Sequence, residues 1–160
     1  MAWSASKVFT AFLTNQLDGT QSGHDLDADT FNVTLWDNTI TPDQTVAAAA
    51  TAYNTGVWAI AGSADVFEAS EWEQVGEPLV TPDITNPTTT SIRWDAADTA
   101  SQGATADLAS VYGCHIYNDT ETTPVADMGI CYIYFDGSNS VTNGTFTIVW
   151  SSSGIFEIAV

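Results

Sequence analysis

Basic side chains are almost absent from this chain of 160 residues. Lys7 and Arg93 are the only two, against 20 Asp and Glu side chains, and the formal net charge is −18. Proteins bind polyanionic surfaces through Lys and Arg contacts to phosphates, and such surfaces repel a chain this acidic. We therefore expect neither nucleic acid nor a membrane as a partner.

Residues that carry catalysis are scarce as well. The chain has two His, His24 and His115, and neither lies in a nucleophile-elbow or metal-ligand spacing. No general base with a positioned partner can be named, so we predict no enzyme activity, no catalytic residue and no cofactor. No apolar stretch approaches the roughly 20 residues that a membrane-spanning helix needs.

Cysteine is limited to Cys114 and Cys131, too few for a disulfide scaffold. The two lie symmetrically about a polar turn near Thr122 and Thr123, so antiparallel pairing of the flanking segments would place them on neighbouring strands. Polar residues interrupt positions 1–17, where an export signal would need an apolar core. Reduced thiols are favoured, and the spacing leaves open whether the two are bridged.

Apolar residues, in contrast, are plentiful. They make up 44% of the chain and include six Trp, five Tyr and seven Phe. A chain of this length buries roughly 70% of its unfolded surface, and these side chains can fill such an interior. Only 14% of the residues are charged, which argues against disorder. We therefore predict one folded domain.

An apolar stripe at helical spacing marks the start of the chain. It predicts an amphipathic helix over residues 3–17, within an N-terminal segment 1–18 that is a candidate interface arm. The stripe could pack on the domain's own sheet, on a sister subunit or on another protein. Its candidate interface residues are Trp3, Val8, Phe9, Phe12 and Leu13.

Residues 19–160 carry the pattern of a β domain. Alternating apolar and polar residues predict a half-buried strand over 30–36, and Thr-Pro-Asp-Gln at 41–44 predicts the start of an Ala-rich helix over 42–52. Further predicted strands are 57–60, 65–68, 79–80, 91–94, 110–117 and 129–135, with a hairpin of 145–150 and 155–160. The expected fold is mainly β: a single-domain, antiparallel, jelly-roll-like β-sandwich with an N-terminal amphipathic helix and one short Ala-rich helix.

Three carboxylates give the only metal-site candidate. Asp25, Asp27 and Asp29 have the spacing that begins a calcium loop, but Thr30 replaces the turn Gly and Trp36 the bidentate Glu. The favoured alternative is a solvated acidic turn in which Asp29 or Thr30 satisfies local backbone donors. We predict no metal site.

Tryptophan could instead line a sugar-binding platform, because aromatic faces stack on sugar rings. Four of the six Trp fall within predicted helix or strand, where core packing is the default. Trp58 and Trp72 are the two candidates for exposed positions.

Several segments carry a family resemblance that covers most of the chain. They are the opening MAWS, DLDADTFNVTLWDNTITPDQTVAAAATAY, RWDAADTAS, ADLASVYGCHIYNDTETTPVADMGICYIYFDG and SVTNGTFTIVWSSSGIFEIAV. Through them the chain resembles small virion proteins of tailed phages, particularly phages of actinobacteria. The resemblance implies a capsid decoration, or cement, protein that is made in the host cytoplasm, binds the outer surface of the capsid and stabilises the shell.

Partners follow from the same resemblance. The major capsid protein is the expected binding partner, and a trimer or other cyclic homo-oligomer is expected because repeated contacts gain avidity. Two other functions stay open. One is a phage tail or fibre component that contacts the host, and the other is a secreted carbohydrate-binding or adhesive β-sandwich.

Overall fold

Antiparallel strands dominate the computed structural model, which describes residues 3–19 and 23–159. The strands are β1 (Lys7–Val8), β2 (Phe31–Trp36), β3 (Asp65–Val66), β4 (Glu77–Pro78), β5 (Val80–Thr88), β6 (Ser91–Ala97), β7 (Thr99–Ala100), β8 (Ala106–Asn118), β9 (Gly129–Gly144), β10 (Thr147–Ile148) and β11 (Phe156–Ala159). The helices are α1 (Thr10–Asp18) and α2 (Ala48–Thr51), and 3₁₀ turns cover Gly56–Trp58 and Ile60–Gly62. The predicted mainly β, antiparallel fold with two helices is confirmed.

The main sheet has the order β1-β9-β8-β2-β3, and β4 pairs with the side of β2 that also holds β3. Two smaller sheets, β11-β6-β5 and β10-β7, complete the strands. The smaller sheets pack on the main one through aromatic contacts such as Phe31 with Trp94, whose ring centroids are 5.0 Å apart. Within the described residues, neither helix has the length and apolar character of a membrane span.

Strand β2 is covered on both faces. Phe31 contacts Trp94 of the smaller sheet on one face, and Trp36 contacts Trp58 of the 3₁₀ turn at 5.4 Å on the other. All six β2 residues are buried. The strand predicted over 30–36 is therefore confirmed, whereas its half-buried character is wrong, because a second layer covers the face predicted to meet solvent.

The N-terminal segment differs from the helix predicted over 3–17. Lys7 and Val8 pair with Tyr132 and Cys131 of β9, and the Phe9 N–H donates to the Ile130 carbonyl at 3.0 Å. These sheet bonds hold the backbone extended, so helix α1 begins only at Thr10.

The candidate interface residues lie in the domain's own core. Trp3, Phe9 and Phe12 are at most 2% exposed, and the half-buried Val8 and Leu13 pack against the same core. Of the three surfaces open to the stripe, the structure selects the domain's own sheet. The segment is part of the folded unit, and as an interface arm it would have to leave that core.

Two predicted elements between residues 42 and 60 differ from the structure. The predicted Ala-rich helix is present, but only Ala48–Thr51 of residues 42–52 is α-helical. The Asp43 carboxylate accepts hydrogen bonds from the N–H and hydroxyl of Thr45, at 2.8 and 2.7 Å, and this local turn competes with helix. The predicted strand at 57–60 is 3₁₀ turn instead, because the 57–58 backbone turns inward to bury Trp58.

The predicted C-terminal hairpin is also wrong. Strand β10 pairs with β7, and β11 pairs with β6. The turn at Ser151–Gly154 therefore joins strands of two different sheets. Gly154 has φ +80°, and a Cβ there would lie 2.5 Å from the Trp94 carbonyl oxygen, so only glycine fits this close approach. Val160, the last residue of the predicted strand, lies outside the described residues.

The cysteines occupy neighbouring strands, as predicted. Cys114 in β8 faces Ile133, and Cys131 in β9 faces Ile116, so the thiols are diagonal neighbours. Both are buried and free, and burial raises the pKa of each thiol. They behave as small apolar side chains of the core.

Replacement of Phe12 by Ala tests whether the N-terminal segment belongs to the fold. Phe12 is 2% exposed and Leu17, on the same helix, is 89% exposed. We expect Phe12→Ala to lower the free energy of unfolding in urea by about 3–5 kcal/mol. The matched control Leu17→Ala changes it by less than about 0.5 kcal/mol. Equal, small effects would contradict the burial described here.

Candidate functional site

Four aromatic rings stack in a column on the helix-bearing face of the main sheet. Trp58 stacks on His115 with centroids 4.4 Å apart, His115 on Tyr117 at 6.0 Å, and Tyr117 on Tyr53 at 4.8 Å. The His115 Nε2–H donates to the Thr51 carbonyl at 2.9 Å. Complete burial lowers the pKa of His115 to about 3, so the ring is neutral. His115 therefore packs as a neutral ring within the core.

His24 belongs to a second buried cluster, centred on Asn118. The Asn118 Nδ2 donates to His24 Nδ1 at 2.9 Å and to Asp29 Oδ2 at 2.7 Å. Its Oδ1 accepts from the N–H groups of Thr120 and Glu121 at 2.8 and 3.1 Å. Burial lowers the pKa of His24, against the opposing charges of Asp29 and Glu121. The cluster joins two loops at one end of the main sheet.

The three carboxylates of the calcium candidate form a hydrogen-bonded turn. Asp29 Oδ2 accepts from the Asp25 N–H at 2.9 Å, and Asp25 Oδ1 accepts from the Asp27 N–H at 3.4 Å. A side-chain hydrogen bond with Asp25, together with its charge, raises the pKa of Asp27. The alternative in which Asp29 satisfies local backbone donors is confirmed. Among the described residues, no three His, Cys, Asp or Glu side chains group closely enough to hold a metal ion.

The proposed tryptophan platform is absent at both candidate positions. Trp58 and Trp72 are 0% exposed. The Trp72 Nε1–H donates to the Val33 carbonyl at 3.0 Å, and its ring contacts Phe146 edge-on at 5.7 Å. The prediction that these two Trp are exposed is wrong, because the segments that carry them fold onto opposite faces of the main sheet.

Two buried carboxylates connect neighbouring loops. Glu71 accepts hydrogen bonds from the Gly103 N–H at 3.1 Å and from the Thr105 hydroxyl. Glu77 accepts from the Glu73 N–H and the Gln102 amide, both at 3.1 Å. Buried carboxylates are tolerated when hydrogen-bonded in this way. These two fasten residues 71–77 to residues 102–105.

An open groove between β9 and residues 146–155 is a feature that could bind a ligand or partner. Its volume is about 530 Å³. Its lining residues, none of them charged, are Ser6, Ile133, Tyr134, Phe135, Asn139, Phe146, Thr147, Ile148, Val149, Trp150, Ser151, Gly154 and Ile155. The groove lies beside the first residue of β1, because β1 pairs with the β9 edge only at Tyr132 and Cys131. Sequence reasoning missed it because it paired residues 145–150 with the wrong strand.

Both basic residues of the chain lie beside this groove. Lys7 follows the lining residue Ser6 and lines an adjoining small pocket, and the side chain of Arg93 packs against Gly154. Within the described chain, Arg93 Nε and Trp150 Nε1 are buried donors without a hydrogen-bond acceptor. Val149, another lining residue, is 72% exposed. The groove thus combines an uncharged, largely apolar lining with positive charge at its margin.

The neutral state of His115 makes stability depend on pH. Its pKa of about 3 lies below the ordinary histidine value of 6.5, so the unfolded chain binds a proton between these pH values that the folded chain does not. The contribution of His115 to the free energy of unfolding is fully present above about pH 6.5 and falls by up to about 1.4 kcal/mol per pH unit below it. Urea unfolding between about pH 7 and pH 5.5, above most carboxylate pKa values, measures this slope. His115→Phe is expected to reduce this slope, and the part of the slope that remains is due to His24. An unchanged slope would refute a neutral, buried His115.

Asn118 makes four side-chain hydrogen bonds in the loop cluster. We expect Asn118→Ala to lower the free energy of unfolding by about 2–4 kcal/mol, because it leaves buried polar groups without partners. Asn139 is the control, since it is exposed and its amide donates only to the nearby Gly137 carbonyl at 3.2 Å. Asn139→Ala changes stability by less than about 0.5 kcal/mol. Similar losses for the two variants would argue against the cluster.

No family model, curated protein or solved structure matches this chain.

Proposed function

We propose that this chain is a structural virion protein that binds the outer surface of a phage capsid and stabilises the shell. The net charge of −18 carries the proposal. Packaged DNA repels such a surface. On the outer face of a shell the chain is separated from the DNA by the shell itself, and the repulsion is smallest there.

The partner in this proposal is the major capsid protein. Two basic residues cannot neutralise 20 acids within the chain, and one of the two, Arg93, is paired with Glu157 at 3.6 Å. The remaining carboxylates are suited to basic and polar donors on a partner surface. Such contacts guide the approach of the chain and fix its orientation.

Rigidity supports the same role. A protein that reinforces a shell has to resist deformation itself, and aromatic contacts such as Trp58 with His115 and Phe31 with Trp94 hold three layers together. Protein interiors packed in this way have low compressibility. A modest contact that is repeated at every lattice position gains avidity.

The carbohydrate-binding alternative lacks its aromatic platform. That platform required Trp58 and Trp72 to be exposed, and both are 0% exposed. A tail or fibre location would suit the same rigid domain, and the following experiment separates it from a shell location.

Immunogold labelling of intact particles of the virus that encodes the chain tests the proposal. Antibody against the chain is expected to label the outside of the shell at many positions, because the partner surface repeats there. Particles that assemble without the chain are expected to break at a lower temperature, and adding back the purified chain restores their heat resistance. Label confined to the tail, or absent from particles, would refute the proposal.

A further inference from the structure

We infer that copies of this chain associate head to tail, with the edge around Phe67 and Val75 of one copy seated in the groove of the next. The groove is the one lined by Val149 and Trp150, beside strand β9. This inference rests on the proposed function for its setting and specifies how the expected cyclic oligomer forms. The occupant is therefore a second copy of the same chain.

The groove side offers apolar surface with positive charge at its margin. Its lining is uncharged. Lys7 adds a positive charge at the adjoining pocket. Of the acids beside the groove, Asp98 accepts the Trp150 N–H at 3.1 Å and Glu157 is paired with Arg93.

The opposite edge of the main sheet supplies the complement. Phe67, directly after β3, is 46% exposed, and Val75 is 53% exposed. The Gln74 amide donates to Asp65 at 2.6 Å, which holds the turn that carries Val75 beside β3. Residues 65–77 contain no base, and three of their acids, Asp65, Glu68 and Glu73, are half-buried, whereas Glu71 and Glu77 are buried. This edge is therefore both apolar and acidic.

Charge determines which occupant fits. Two copies at −18 repel each other over most of their surfaces. The repulsion is reduced where an acidic edge meets the uncharged groove that both basic residues flank. At physiological salt, screening over about 8 Å weakens the long-range repulsion, while the apolar contact is unaffected.

The position of the two surfaces determines the symmetry. The groove lies at the β1 and β9 side of the main sheet, and Phe67 follows β3 at the other side. One copy therefore uses different surfaces toward its two neighbours. Contacts of this kind produce rings when the rotation between copies closes. A closed ring would present the same set of loops toward a shell.

A mixing experiment with two defective variants tests the arrangement. Phe67→Asp damages the edge and leaves the groove intact, whereas Val149→Asp damages the groove and leaves the edge intact. In sedimentation velocity at about 20 µM, the wild type is expected to form a closed oligomer and each variant to be monomeric, its association weakened about tenfold or more. Mixed in equal amounts, the variants form a heterodimer through the one intact interface.

Control variants exclude a general effect of added charge. Leu17→Asp and Ile92→Asp alter exposed apolar residues elsewhere, at 89% and 37% exposure, and both are expected to associate as the wild type does. Circular dichroism of every variant checks that it is folded. Val75→Asp provides a second edge variant, and it should behave as Phe67→Asp does.

Three results would overturn the inference. These are a monomeric wild type, a variant that associates normally, as Phe67→Asp would if two grooves faced each other, and variants that stay monomeric when mixed. A monomer that labels the shell in immunogold overturns this inference and leaves the proposed function intact. A ring that labels no particle supports this inference and refutes the proposed function.

Discussion

The rest of the structure depends on one constraint, the burial of both faces of strand β2. One face of the strand needs the smaller sheets, through Phe31 and Trp94, and the other needs the N-terminal segment and the 3₁₀ turn, through Trp36 and Trp58. Each square ångström of apolar surface removed from water contributes about 25 cal/mol. Both layers are held mainly by this burial, so the loss of either would expose the sheet between them.

Acidity and folding act against each other in this chain. Mutual repulsion among 20 acids destabilises any compact state. The structure limits this cost by placing most carboxylates at the surface and by surrounding Glu71 and Glu77, which are buried, with N–H and hydroxyl donors. The aromatic core supplies the opposing stabilisation. A strongly acidic chain is therefore compatible with a rigid domain.

The parts of the fold that the sequence predicts are those with strong local patterns. The runs at 30–36, 110–117 and 129–135 are apolar enough to indicate strands, and β2, β8 and β9 contain them. The helix predicted from the N-terminal stripe was wrong up to Phe9. Trp3 and Phe9 lie in an extended segment that reaches the core, and their spacing in the sequence also matches a helix. Only the long-range pairing of Lys7 with Tyr132 settles that difference, and no local pattern reports it.

The candidate site was harder to predict than the fold for the same reason. The turn at Asp25–Asp29 is a local feature, and its internal hydrogen bonds could be anticipated from the residue types. The groove joins Ser6, β9 and residues 146–155, which are distant in the chain. Its prediction required the partner of β10, and residues 145–150 offered an adjacent strand that β10 does not use. Burial of Trp58 and Trp72 likewise depends on contacts outside their own segments.

The pairing of β1 with β9 also orders events during synthesis. Lys7 and Val8 leave the ribosome long before Tyr132 and Cys131 do. Until then Trp3, Phe9 and Phe12 have no sheet to cover. Contacts so distant in sequence slow folding, so the nascent chain carries unprotected aromatic side chains until β9 has emerged. Its strong negative charge hinders neighbouring chains from aggregating with it during this period.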